Sequence, residues 1–84
     1  MYKITYRKTA AKALLKLPIK VAEQFRQAFE LLAIDHDSLL DIKKLEGREG
    51  FRLRIGSYRA IYRKLNDLMI IEIIKVGSRG DIYK

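Results

Sequence analysis

An α+β fold follows from three features of this sequence. A short alternating run opens the chain, two helix-like segments meet at its single proline, and three strand-like runs joined by short turns close it. Helices and strands that are segregated along a chain give a sheet with its helices gathered on one face. The expected architecture is an N-terminal strand, a helical hairpin and a three-stranded antiparallel meander, in one domain covering residues 1–84.

The first strand is YKITYR, Tyr2 to Arg7, which places Tyr2, Ile4 and Tyr6 on one face. From Lys8 the composition changes to strong helix formers, TAAKALLKL, with Thr9 as the candidate N-cap. Pro18 ends that helix and suits the first turn of the next. In the second helix Ala22, Phe25, Ala28, Phe29, Leu32 and Ala33 recur at three- and four-residue spacing. Lys20, Glu23, Gln24, Gln27 and Glu30 fill the opposite side, which makes the helix amphipathic. The stretch DHDSLLDIKKLEGREG, Asp35 to Gly50, reads as a connector. Three strand-like runs follow: Phe51 to Ile55, Tyr58 to Leu65, and Leu68 to Val76. Gly56-Ser57 and Asn66-Asp67 are short enough for hairpin turns. The last run is apolar on both faces, which predicts an interior position in the sheet.

Composition narrows the function classes. With no cysteine among 84 residues the chain has no disulfide and no thiolate metal site, and one histidine, His36, excludes a histidine-rich one. Neither a metal nor an organic cofactor is expected. A run of about 18 apolar residues is missing, and MYKITYRKTA lacks the apolar block of a secretory signal, so a soluble cytoplasmic protein is expected. The formal charge of +8 is unevenly placed: residues 1–42 hold seven basic and five acidic side chains, residues 43–84 eleven and five. A basic half of this kind suits a polyanionic partner.

The charge concentrates in GFRLRIGSYRAIYRK, residues 50–64, where no acidic residue intervenes between Glu49 and Asp67. If Gly56-Ser57 is a two-residue type II′ turn, the register follows by counting. Ile55 then faces Tyr58, Arg54 faces Arg59, Leu53 faces Ala60 and Phe51 faces Tyr62. Alternation puts Arg52, Arg54, Arg59, Ile61 and Arg63 on the face away from the helices. Tyr58 and Tyr62 fall on the core face as packing residues. Two arginines directly opposite each other repel by a few tenths up to about 1 kcal/mol. An anion between them relieves this, and phosphate matches the planar guanidinium fork. The alternative is a solvated face whose long side chains splay apart.

At these residues the sequence also resembles the RelE/ParE superfamily of type II toxins, most closely its RelE branch. The resemblance rests on KLEG (Lys44 to Gly47), FRLRIGSYRAIY (Phe51 to Tyr62) and IKVGSRGDIYK (Ile74 to Lys84), in order and at matching spacing. It implies a RelE-like fold and a ribosome-dependent endoribonuclease, an mRNA interferase that cuts in the ribosomal A site. In such enzymes the ribose 2′-OH attacks the phosphate, leaving a 2′,3′-cyclic phosphate and a free 5′-OH. The family's catalytic positions fall on Arg52, Arg54, Arg59, Arg79 and Tyr83. Implied partners are a RelB-like antitoxin, messenger RNA and the ribosome, with operator DNA bound only through the antitoxin complex and no membrane.

Two departures from the pattern bear on mechanism. Some relatives carry lysine where Arg52 and Arg54 stand, and many place a histidine at the position of Ser78. Arginine stays protonated, so the set offers charge stabilisation without an ordinary base. Such a site depends on an RNA already held in line, which the ribosome supplies. Arg79 would assist the 5′-O leaving group, and Tyr83 would stack on a base or relay a proton, unless it only packs against the sheet. His36 lies in a polar loop far along the chain from the arginines, and Glu72 falls on the arginine face only if the turn at Asn66-Asp67 has the right register. Two other readings share the pattern: a ParE-like gyrase poison, and a non-catalytic nucleic-acid-binding or co-repressor module.

Overall fold

The computed structural model describes residues 1–78. The elements are β1 (Lys3–Tyr6), α1 (Lys8–Lys16), α2 (Ile19–Ala33), β2 (Asp41–Lys44), β3 (Phe51–Ile55), β4 (Tyr58–Leu65), a 3-10 turn at Asn66–Leu68, and β5 (Ile70–Ser78). The strands form one mixed sheet in the order β1-β5-β4-β3-β2. β1 runs parallel to β5, and every other neighbouring pair is antiparallel. This is the expected α+β arrangement, and β5 is interior as its two apolar faces require.

Both helices pack on one face of the sheet through the predicted stripe. Ala22, Phe25, Ala28, Phe29, Leu32 and Ala33 are all buried, and Lys20, Glu23, Gln24, Gln27 and Glu30 are all exposed. Ala10 and Leu14 of α1 join them, against Leu53, Ala60, Tyr62, Ile71, Ile73 and Val76 from the sheet. Phe25, Phe29, Leu53, Ile71 and Ile73 are the largest side chains fully out of water. Each contributes about 1.5–3 kcal/mol by burial. Tyr62 stacks on Phe51 across the hairpin, with ring centroids 5.3 Å apart.

Four local details differ from expectation. Helix α1 begins at Lys8, with Arg7 at the cap position and no side-chain capping bond, so Thr9 lies inside the first turn. Pro18 is the N-cap of α2, where its missing N–H costs nothing, rather than its first helical residue. The second hairpin is longer than a two-residue turn: a 3-10 turn runs into Met69, which takes a left-handed conformation with φ 53°. That displaces β5 from Leu68–Val76 to Ile70–Ser78. The fourth difference concerns the connector, which contributes a fifth strand. β2 pairs with β3 at the edge of the sheet, with Asp41 opposite Arg54 and Lys43 opposite Arg52.

β5 also carries a bulge. Ile61 pairs with Lys75 and Tyr62 with Ile73, which leaves Ile74 without a partner. The extra residue keeps both Ile73 and Val76 on the helix-covered face.

Candidate phosphate-binding site

The β3–β4 hairpin has the register that the turn implies. Ile55 is opposite Tyr58, Arg54 opposite Arg59, Leu53 opposite Ala60 and Phe51 opposite Tyr62. Gly56 has φ 59°, whereas Ser57 is not among the positive-φ residues. Positive φ at the first central position alone is the mark of type II′ and excludes type I′. Arg52, Arg54 and Arg59 therefore meet on the sheet face away from the helices. Arg63 continues that row along β4, opposite Glu72 of β5.

The three arginines are held in different ways. Arg52 donates from an Nη to Asp41 Oδ1 at 3.0 Å, and Arg54 donates from Nε to Asp41 Oδ2 at 2.5 Å. One carboxylate thus clips two guanidinium groups, each to its own oxygen. The expectation that these arginines lack a protein counter-charge is corrected here. No acidic residue lies between them in sequence, but β2 brings Asp41 to their side of the sheet. Arg59 is 7% exposed and turns back toward its own hairpin, donating from one Nη to the carbonyls of Gly56 (3.3 Å) and Tyr58 (3.2 Å). The Nε atoms of Arg52 and Arg59 are both buried, with no hydrogen-bond partner among the described residues. Ile61, which stands between Arg59 and Arg63, is 3% exposed although it is not part of the helix-side core cluster. The face is consequently more ordered than a solvated row of splayed side chains.

Among the described residues Asp41 leaves the cluster with a net positive charge, because one carboxylate serves two guanidinium groups and Arg59 is bonded only to neutral carbonyls. Arg52 and Arg54 keep donors that Asp41 does not use. The arrangement can accept an anion on the remaining edges of forks that are already oriented.

The rest of the row is ion-paired. Arg63 donates to Glu72 at 3.2 Å, and Arg7, between β1 and α1, reaches the other oxygen of Glu72 at 3.5 Å. Glu72 does therefore lie on the arginine face, where it orients Arg63 rather than Arg52, Arg54 or Arg59. Tyr62 is buried and Tyr58 packs against the core, as their face requires. His36 is exposed in the turn after α2, where its backbone N–H donates to Leu31 O. Ser78, where many relatives have histidine, ends β5 opposite Tyr58. Arg79 and Tyr83 lie outside the described residues. Among the described residues no group of three or more His, Cys, Asp or Glu side chains is placed to hold a metal, and no helix is long and apolar enough to cross a membrane.

Sequence reasoning missed Asp41 and Lys43 because it read their segment as a connector. A signal was present: Leu40 and Ile42 alternate with Asp41 and Lys43, and both apolar side chains pack against the core. Two apolar residues are too short a run to set a period against the polar stretch around them.

A family model described as the ParE toxin of the type II toxin–antitoxin system parDE matches residues 4–83. A curated relative from Methanocaldococcus jannaschii, named as a toxin RelE1, is 34% identical over 86 residues, covering 99% of this chain and 96% of its own. Among solved structures, the archaeal RelE–RelB complex from Pyrococcus horikoshii OT3 has a chain 31% identical, with a TM-score of 0.79 over 94% of this chain and 96% of that one. The RelB–RelE antitoxin–toxin complex from Methanococcus jannaschii has a chain 27% identical, with a TM-score of 0.79 over 94% of each.

Proposed function

We propose that this chain, which belongs to the ParE-toxin family of type II toxin–antitoxin systems and is RelE-like, is a ribosome-dependent endoribonuclease that cuts messenger RNA. The observation that carries this reading is the gathering of Arg52, Arg54 and Arg59 on one sheet face, with Arg54 directly opposite Arg59. The scissile phosphate sits against Arg54 and Arg52, on the edges that Asp41 leaves open. As the ribose 2′-OH attacks, the phosphate gains negative charge and the 5′-oxygen leaves, yielding a 2′,3′-cyclic phosphate and a 5′-OH. Preoriented guanidinium groups stabilise that developing charge, and one such donor is worth about 3 kcal/mol, or a hundredfold or more in rate. DNA lacks the 2′-OH and is bound without being cut.

Proton transfer is the weaker part of this site. Among the described residues, Asp41 and Glu72 on the arginine face are each already engaged with two arginines, and Glu49 reaches only Arg63, at 3.9 Å. Arg79 is assigned to the leaving group and Tyr83 to stacking on a base, which is worth roughly 1–3 kcal/mol. With charge stabilisation strong and base catalysis weak, the rate depends on a substrate delivered in line. The ribosome does this for a translated message, so naked RNA is cut slowly. The reaction belongs in the cytoplasm.

The inhibitory partner is a RelB-like antitoxin. Leu15 and Ile19, at the bend of the helical hairpin, are 77% and 78% exposed. An amphipathic antitoxin segment would cover them. Operator DNA is reached through that complex.

Mapping of message 5′ ends after induction, beside a gyrase supercoiling assay, tests the reading. Cuts in codon register with supercoiling intact are expected. Uncut messages with lost supercoiling would assign the chain to gyrase instead.

A further inference from the structure

We propose that Lys43 of β2 and Arg52 of β3 form a second phosphate subsite beside the first, so that the arginine face binds two consecutive phosphates of an RNA strand. The inference rests on the phosphate-binding reading of that face and extends it toward the edge of the sheet.

Lys43 lies directly opposite Arg52, as Arg54 lies opposite Arg59. Like charges in register recur one step along β3, this time with an exposed lysine. Among the described residues no carboxylate pairs with Lys43, and Arg52 Nε is buried with no partner. The two side chains line one pocket of about 180 Å³ together with Lys44, Leu45 and Glu46. Arg52 and Arg54 are two residues apart on one strand, about 6.6–6.8 Å along it. Successive phosphates of an extended nucleic-acid strand are separated by a step of the same order. One phosphate at Arg54 therefore leads the next toward Arg52 and Lys43.

The pocket then receives the sugar and base between or beyond these phosphates. Leu45 offers an apolar surface for a base, and Glu46 offers a carboxylate that accepts hydrogen bonds from amino or imino N–H groups. Every RNA base presents at least one such donor, and guanine presents an imino and an amino N–H side by side, which suits a carboxylate. Lys43 contributes charge without sequence information, whereas Glu46 is placed to discriminate.

The test uses the full chain and two non-cleavable 2′-deoxy oligonucleotides, a dinucleoside with one phosphate and a trinucleoside with two. Binding is read by NMR titration at low salt. The parent is expected to bind the two-phosphate oligonucleotide severalfold more tightly than the other. Lys43→Ala and Lys43→Gln are expected to bring that ratio to within twofold while leaving one-phosphate binding unchanged. Lys20→Ala, which removes one charge from the exposed side of α2, should keep the parental ratio. Equal affinity of the parent for both oligonucleotides, or a parental ratio in both Lys43 variants, would overturn the subsite. An equal loss in Lys20→Ala would assign the effect to bulk charge and overturn it too. Lys43 variants that lose antitoxin affinity but keep the oligonucleotide ratio would assign the edge to protein binding. Because neither oligonucleotide can be cut, the outcome is separate from whether the chain is a ribonuclease.

Discussion

At Asp41 one carboxylate decides how two arginines present themselves. It orients the forks of Arg52 and Arg54, and it also places a negative charge beside any phosphate they bind. The Arg54–Asp41 pair is half-exposed, so its direct contribution to stability is small, about 0–1 kcal/mol. Its effect on the site is larger and acts in two opposed directions. Asp41→Asn should bind a non-cleavable RNA analogue severalfold more tightly, because a repulsion of roughly 1 kcal/mol or less is removed. The same variant should turn over more slowly, because the guanidinium groups lose their orientation. Single-turnover rates measured beside analogue affinity check this split; a variant that both binds and cuts like the parent would contradict it. The arginines themselves were legible in the sequence because Gly56-Ser57 fixes their register within a few residues. Asp41 was not, since its partners stand 11 and 13 positions away across a loop that the chain pattern does not measure.

The elements divide along the same line. β3 and β4 have the bounds that the alternation predicts, and α2 buries the six residues of its stripe. Local turn chemistry and helical period specify both. β2 was missed because an edge strand with one inward apolar residue, Ile42, and a second just before it, Leu40, carries little pattern. The start of β5 was misplaced because Met69 adopts a left-handed conformation that a β-turn rule does not anticipate. β4 sets an alkaline limit on stability. Burial pushes the Tyr62 phenol well above its ordinary value of 10.0, helped by the negative charge of Asp37. On the same strand, Lys64 is raised above its ordinary 10.5, chiefly by its hydrogen bond to Asp35, which outweighs the lowering effect of burial. Both groups hold a proton more tightly when folded than when unfolded. Their contribution is complete below about pH 10 and is lost as pH rises through the folded values. Urea titrations between about pH 8 and 12 should show stability falling with pH, and Tyr62→Phe should flatten part of that fall. A parent curve level across the range would contradict the assignment.

On the scale of the whole molecule, a helix-covered sheet face provides the stability and the opposite face provides the binding groups. A chain of 84 residues has a margin of about 5–15 kcal/mol. Burial of Phe25 and Phe29 under the sheet supplies a sizeable share of it, since truncating one such residue to Ala costs about 3–5 kcal/mol. None of that core needs the arginine row, so the row is free to collect like charges. The exposed Leu15 and Ile19 belong to neither face and bear on inhibition. Leu15→Lys should weaken antitoxin binding about tenfold or more by calorimetry while leaving the urea midpoint within error. Unchanged antitoxin affinity would place the interface elsewhere. The fold class, both helices and the β3–β4 hairpin were legible, whereas β2 and the start of β5 were not. The phosphate site was legible only in part: its arginines come from one hairpin, whereas its clip and its edge come from a strand the sequence hardly marks.

The central claim is that the arginine face stabilises a phosphate in its transition state. The most direct measurement is the single-turnover cutting rate of a message on programmed ribosomes, for the parent and for Arg54→Ala. Arg54 is half-exposed outside the core, so the variant should fold normally. The account predicts a rate lower by about a hundredfold or more, with the same cut positions and a cyclic phosphate at each 3′ end. A parental rate in Arg54→Ala would contradict it.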